Sequence, residues 1–216
     1  LRLIRRDFTM KKILVGILCV IMLLFASCGD GNDMPNTPGT QPGGNDQIPG
    51  IDYNESTDKY LVKDSRTEYK IIIPKEATST ETYAANELKN LFTMVIGSNI
   101  EVQSDEGLTF NQNDKVISIG KTVYQKGANL SSSYYKNLNG GYIIKSVGDV
   151  YILDADTKNG IIYSVYNFLT LYFGVEFLTW DYTYIPKGVT EVKAYKADIK
   201  DGPTFQIRAF YSYPVW

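Results

Sequence analysis

The chain has 216 residues, 44% of them apolar and 21% charged, with a net charge of −2. That balance supports a substantial hydrophobic core and excludes wholesale disorder. Histidine is absent and cysteine occurs twice, at Cys19 and Cys28. This excludes Ser-His-Asp and Cys-His catalysis, His-ligated zinc, a disulfide framework and a Cys-rich metal site. Neither GxxxxGK[ST] nor a strand-linked GxGxxG is present, so no phosphate cradle is offered to a nucleotide and no cofactor is expected. The available chemistry is that of carboxylate, tyrosine, lysine and arginine.

At the N-terminus, Lys11 and Lys12 precede an unbroken apolar run, Ile13 to Phe25, which leads into Ala26-Ser27-Cys28. This is the layout of a secretory signal with a lipoprotein cleavage site. Phe25 and Ser27 stand where Leu and Gly or Ala are usual. The rival reading, a membrane anchor, needs about 20 apolar residues, which this run does not supply. Met10 is the expected start, residues 1–27 are removed, and lipid is expected on Cys28. Cleavage takes away five basic residues and one acid, leaving 17 against 23 and a charge of −6. An acidic surface argues against nucleic acid as a partner.

Residues 28–52 read as a flexible tether rich in Gly, Pro and Asn, with ends on the order of 25 Å apart. Asp30 and Asp33 resemble the acidic surface-export signal of Bacteroidetes lipoproteins. The expected location is therefore the outer membrane, on its periplasmic face or at the cell surface.

The domain expected over residues 53–200 opens with the strand EYKIII, closed by Pro74. Thr78 and Glu81 have capping-box spacing, and Ala84, Leu88, Leu91 and Val95 recur at helical intervals before Gly97. Asn99 to Val102 and Lys115 to Gly120 read as further strands. Gly141 to Lys145 and Val150 to Asp154 form a hairpin turned at Gly148-Asp149.

In GIIYSVYNFLTLYFGVEFLTW, residues 160–180, Ile162, Val165, Leu169, Tyr172 and Phe173 share one helical face. Ser164, Asn167 and Thr170 share another. With Asn159-Gly160 at its entry and Gly174 as a left-handed cap, the run predicts a four-turn helix followed by a strand, Val175 to Leu178. It is too polar and too short for a membrane span. Tyr182 to Ile185 and Val192 to Tyr195 read as short closing strands. The sum is an α+β fold, a two-layer α/β sandwich with a mixed sheet and two long helices.

This order of pieces, KVISIG, GYIIKSVGDVYILDA, NGIIYSVYNFLTLYFGVEFLTWD, YIP and DGPTFQIRAF, resembles the N-terminal accessory domain of glycoside hydrolases. The types concerned are alpha-glucuronidase (family 67) and beta-N-acetylhexosaminidase (family 20). It is also similar to Bacteroidetes lipoproteins with domain of unknown function 4838. Gly160, Tyr163, Val165, Tyr166, Phe168 and Leu169 match the family helix, and Gly174, Val175, Phe177 and Leu178 match its strand. Ser164 and Thr170 depart from a usual glycine and a common glutamate.

The resemblance implies a non-catalytic domain packed beside a (β/α)8 barrel that carries the acid and base carboxylates. Residues 201–216 would begin that barrel, with its first strand at Phe205 to Phe210, and the chain reads as a fragment lacking the rest. Pro203, Phe205 and Arg208 match a family pattern whose Arg faces the sugar, so Arg208 is the substrate-contact candidate. Its other reading is a strand-end arginine in a surface ion pair.

Asp154 and Asp156 form an i, i+2 carboxylate pair, but at a strand end leading into a helix they read as capping or turn residues before an acid–base pair. Trp180, Asp181, Tyr211, Tyr213 and Trp216 offer rings and a carboxylate for sugar contact, Trp180 reading first as packed between domains. Lys121 to Lys126 reads as a solvated segment. Two functions follow. One is the accessory domain of a lipid-anchored glycoside hydrolase, inactive alone, with carbohydrate reached through the barrel. The other is a stand-alone surface lipoprotein that binds glycan or protein without catalysis.

Overall fold

The computed structural model describes residues 49–53 and 58–204. Cys28, Arg208, Tyr211, Tyr213, Trp216 and the expected barrel strand lie outside them.

Three segments rich in Ile and Val make the centre of the sheet: β3 (Lys70–Ile73), β5 (Val116–Ile119) and β7 (Val150–Ala155). They run parallel, joined on one side by parallel β4 (Glu101–Ser104). Their near-continuous apolar character fits strands covered on both faces. On the other side β6 (Tyr142–Val147) returns antiparallel to β7. Then β11 (Lys196–Asp201) pairs antiparallel with β6, and β1 (Ile51–Asp52) with β11. The seven-stranded order is β1-β11-β6-β7-β5-β3-β4.

Two long helices cover one face. In α1 (Ser79–Ile96) the Thr78 hydroxyl accepts from the Glu81 N–H at 3.2 Å, and the Glu81 carboxylate accepts from the Thr78 N–H at 2.8 Å. That reciprocal cap satisfies two end donors, and left-handed Gly97 closes the helix. In α3 (Lys158–Phe173) Thr157 caps the start and left-handed Gly174 the end. The helices meet through Phe92 and Phe173, whose ring centres are 5.3 Å apart. Beneath them, buried Tyr151 meets Phe168 and Tyr172 edge-on and donates its hydroxyl to the Tyr195 carbonyl at 2.7 Å.

The opposite face is divided. Its apolar part, Ile72, Val116, Val150 and Ile152, is covered by Tyr124 of the short helix α2 (Val123–Gly127) and by Leu108 and Phe110. A 3-10 turn, Ser132–Tyr135, lies over its polar part. Two small sheets complete the fold, β2 (Tyr60–Val62) with β10 (Val192–Lys193), and β8 (Glu176–Phe177) with β9 (Thr183–Tyr184).

The α+β architecture with a mixed sheet and two long helices is as expected, and among the described residues no helix is long and apolar enough to cross a membrane. Several details differ. Helix α3 begins just before the expected Asn159-Gly160 entry, at Lys158, with Thr157 as its cap. Ser164 belongs to the buried face, because its hydroxyl donates to the Ile161 carbonyl at 2.7 Å and so enters the core satisfied. The strand expected over Val175 to Leu178 shrinks to β8, outside the main sheet and exposed. The segment Lys121 to Lys126 is not merely solvated, since it starts α2 and buries Tyr124. KADIKD forms a full strand, with Ala197 and Ile199 turned to the core and the charges outward.

Candidate functional site

In open α/β sheets, ligands favour the crevice beyond the carboxyl ends of parallel strands where the winding direction reverses. Here that reversal falls between β3 and β5, and side chains fill it. The buried Asp105 carboxylate accepts from the Lys75 N–H at 2.7 Å and the Val123 N–H at 2.9 Å, tying the end of β3 to the start of α2. Beside it Gly120 is left-handed, φ 76°, and a Cβ there would lie 2.1 Å from the Glu81 carboxylate. The crevice is closed by the capping box of α1.

The neighbouring strand end holds the main titratable cluster. Asp154 is 0% exposed at the end of β7. Its Oδ2 takes the Lys121 ammonium and the Tyr135 hydroxyl, the latter at 2.6 Å, while Oδ1 has no partner. Lys121 also lies over the Tyr135 ring, 4.2 Å from its centre, and Gln125 donates to the Tyr135 oxygen at 2.7 Å. Burial, then the hydrogen bond to Asp154 and its charge, pushes the Tyr135 hydroxyl well above the usual phenol range. Tyr135 is thus a fixed donor at neutral pH.

The two carboxylates singled out from the sequence are not assembled into an acid–base pair. Asp154 points inward into its ion pair, whereas exposed Asp156 accepts from the Gly140 N–H at 3.4 Å. Asp156 therefore serves the turn, as expected. Asp154 neither caps nor turns; it anchors the polar half of the sheet face. Its lysine partner carried no sequence signal beyond lying one residue past a strand-ending glycine.

Along that face, Lys145 of β6 pairs with Asp198 of β11, which also takes the Tyr134 hydroxyl. Asp52, Lys145, Ser146, Lys196, Ala197 and Asp198 border a shallow concavity of about 430 Å3. Among the described residues no group of His, Cys, Asp or Glu could hold a metal ion.

The remaining feature is apolar. The β8–β9 hairpin exposes Phe177, Leu178, Tyr182 and Tyr184, and Trp180 at its tip is 97% exposed. Two tip hydrogen bonds, from the Leu178 and Thr179 N–H groups to the Tyr182 carbonyl, hold the turn, and Thr179 donates to Asp181 at 2.7 Å. The Phe177 ring rests on Tyr166 of α3 with centres 4.4 Å apart.

No family model matches the chain. No curated protein matches it either. Among solved structures it is similar to that of CpGH84D, a glycoside hydrolase family 84 protein, with a TM-score of 0.44 and 12% identity. That likeness covers 84% of this chain and 26% of the other.

Proposed function

We propose that residues 53–200 are the non-catalytic accessory domain of an exported, lipid-anchored glycoside hydrolase of the alpha-glucuronidase or hexosaminidase type. The observation that carries this reading is the unit from Gly160 to Leu178. It forms a helix, a left-handed Gly174 cap and a short strand, which is the pattern matched residue by residue in the resemblance. In this reading Cys28 bears the lipid, residues 28–52 tether the domain to the outer membrane, and residues 201–216 open the catalytic barrel. Arg208 is then the contact through which this part of the chain reaches the sugar.

The lipid is tested by labelled fatty acid in a bacterium that matures lipoproteins. Label should enter the protein and be lost in Cys28→Ser, and an unlabelled wild type refutes the anchor. The rival reading, a surface lipoprotein that binds without catalysis, draws on the exposure of Trp180. Titrating the 216-residue chain with xylan- and chitin-derived oligosaccharides separates the two. Tight binding by this chain favours the rival, and none favours the accessory domain.

A further inference from the structure

We infer that Asn139 is a site of spontaneous covalent modification, converting to aspartate and isoaspartate through its own backbone, while the same dipeptide at Asn159 is protected by the fold. Asn-Gly occurs at residues 139–140 and 159–160. In each, glycine lacks the Cβ that would shield its amide nitrogen from the asparagine side chain. The two differ in backbone.

Asn139 and Gly140 are the central residues of a tight turn, closed by the Gly141 N–H on the Leu138 carbonyl at 2.8 Å. Both are left-handed, φ 51° and 85°, the type I′ geometry that favours Asn-Gly. Asn139 is exposed, and the Gly140 N–H is held by a long hydrogen bond, 3.4 Å, to the Asp156 carboxylate. Asn129 and Asn137 are also exposed and left-handed, but each precedes a leucine whose side chain crowds the amide. Gly160, by contrast, is buried in the first turn of α3. Its N–H donates to the Thr157 hydroxyl at 3.2 Å, and a Cβ on it would lie 2.3 Å from the Gly141 carbonyl. Turning that amide toward the Asn159 side chain would break the helix cap and has no room.

The reaction needs only base and water. The Gly140 nitrogen loses its proton and attacks the Asn139 side-chain carbonyl carbon. The new C–N bond closes a cyclic imide, and the side-chain nitrogen leaves as ammonia. Water then opens either imide carbonyl, giving aspartate or, with an extra carbon in the main chain, isoaspartate. The turn leads directly into a close joint. A Cβ at Gly141 would lie 2.1 Å from the Asp201 carbonyl oxygen and 2.4 Å from Gly202, and the Gly141 carbonyl lies against Gly160. There β6, β11 and α3 meet backbone to backbone, so an isoaspartyl link lengthens the chain where no slack exists and loosens the fold.

The test incubates the 216-residue chain in mildly alkaline buffer, below the range where its tyrosines ionise, and follows deamidation by peptide mass spectrometry. Folded protein should convert Asn139 about tenfold or more faster than Asn159, and in urea the two rates should converge. Isoaspartyl protein should melt below Asn139→Asp, which has the charge without the longer chain. Equal folded rates, or a slower Asn139, overturn the site. A difference that persists in urea overturns protection by the fold, and equal melting overturns the loosened joint. None of these outcomes bears on the accessory-domain reading.

Discussion

Lys121 and Asp154 form an ion pair whose two halves live in different media: the carboxylate is wholly buried, while the lysine side chain is 53% exposed. A buried charge that loses its partner costs about 3–5 kcal/mol, and the lysine's exposure reduces this. Lys121→Met should therefore destabilise the domain by about 1–3 kcal/mol. Because Asp154 is then unneeded, Lys121→Met with Asp154→Asn should cost less than the sum of the single changes. Urea unfolding of the four proteins measures the coupling, and strict additivity contradicts the pairing.

Gly120 and Gly97 separate two kinds of glycine requirement. Both are left-handed, but only Gly120 faces a side chain, whereas nothing lies within 4 Å of a Cβ at Gly97. Gly97→Ala should cost only the backbone term, about 1–2 kcal/mol. Gly120→Ala adds displacement of the Glu81 carboxylate from its cap, which is worth about a further 1 kcal/mol. Equal losses at the two sites in thermal unfolding would show that Glu81 yields without consequence.

Alkali should unfold this protein earlier than its core size suggests. Burial first, then the hydrogen bond to Asp114 and its charge, push the Tyr124 hydroxyl up to about 12. Tyr69, Tyr142, Tyr166 and Tyr172 are raised further, each chiefly by burial. A raised folded value means the stabilisation is complete below the unfolded value near 10 and is lost as pH climbs through the folded one. Stability should therefore fall from about pH 10 upward. In ultraviolet titration, ionisation of these tyrosines should coincide with loss of near-ultraviolet dichroism. Ionisation that precedes unfolding contradicts their burial.

At the acid end the sign reverses. Burial raises the Asp198 carboxyl, but hydrogen bonds from Lys145 and Tyr134 and the Lys145 charge outweigh it and leave the group below its ordinary value. Its contribution is present above the unfolded carboxylate range and is lost as pH falls through the folded value. Asp198→Asn should flatten the acid limb of the stability curve, with Asp156→Asn, whose carboxylate takes a backbone N–H rather than a lysine, as the control. Identical acid limbs for the two would place Asp198 outside the linkage.

Much of the architecture was legible because local signals agreed with the fold. The Thr78–Glu81 box, the Gly97 and Gly174 caps and the hairpin at Gly148-Asp149 each need only neighbours in sequence. What escaped depends on distant partners. KADIKD alternates with period two, yet its charges hide it until Lys145 from the neighbouring strand and Tyr134 from the 3-10 turn meet Asp198. Ser164 reads as polar until its hydroxyl is seen to turn back to the helix backbone. Asp154 shows the same limit at the candidate site. Its spacing from Asp156 is visible in sequence, but Lys121 and Tyr135, 33 and 19 residues away, decide what it does.

The most direct measurement for the accessory-domain account is the reading frame immediately downstream of Trp216. The account predicts an open frame of alternating strands and helices, with two strand-end carboxylates placed for glycoside hydrolysis. A genuine stop codon after Trp216 would contradict it.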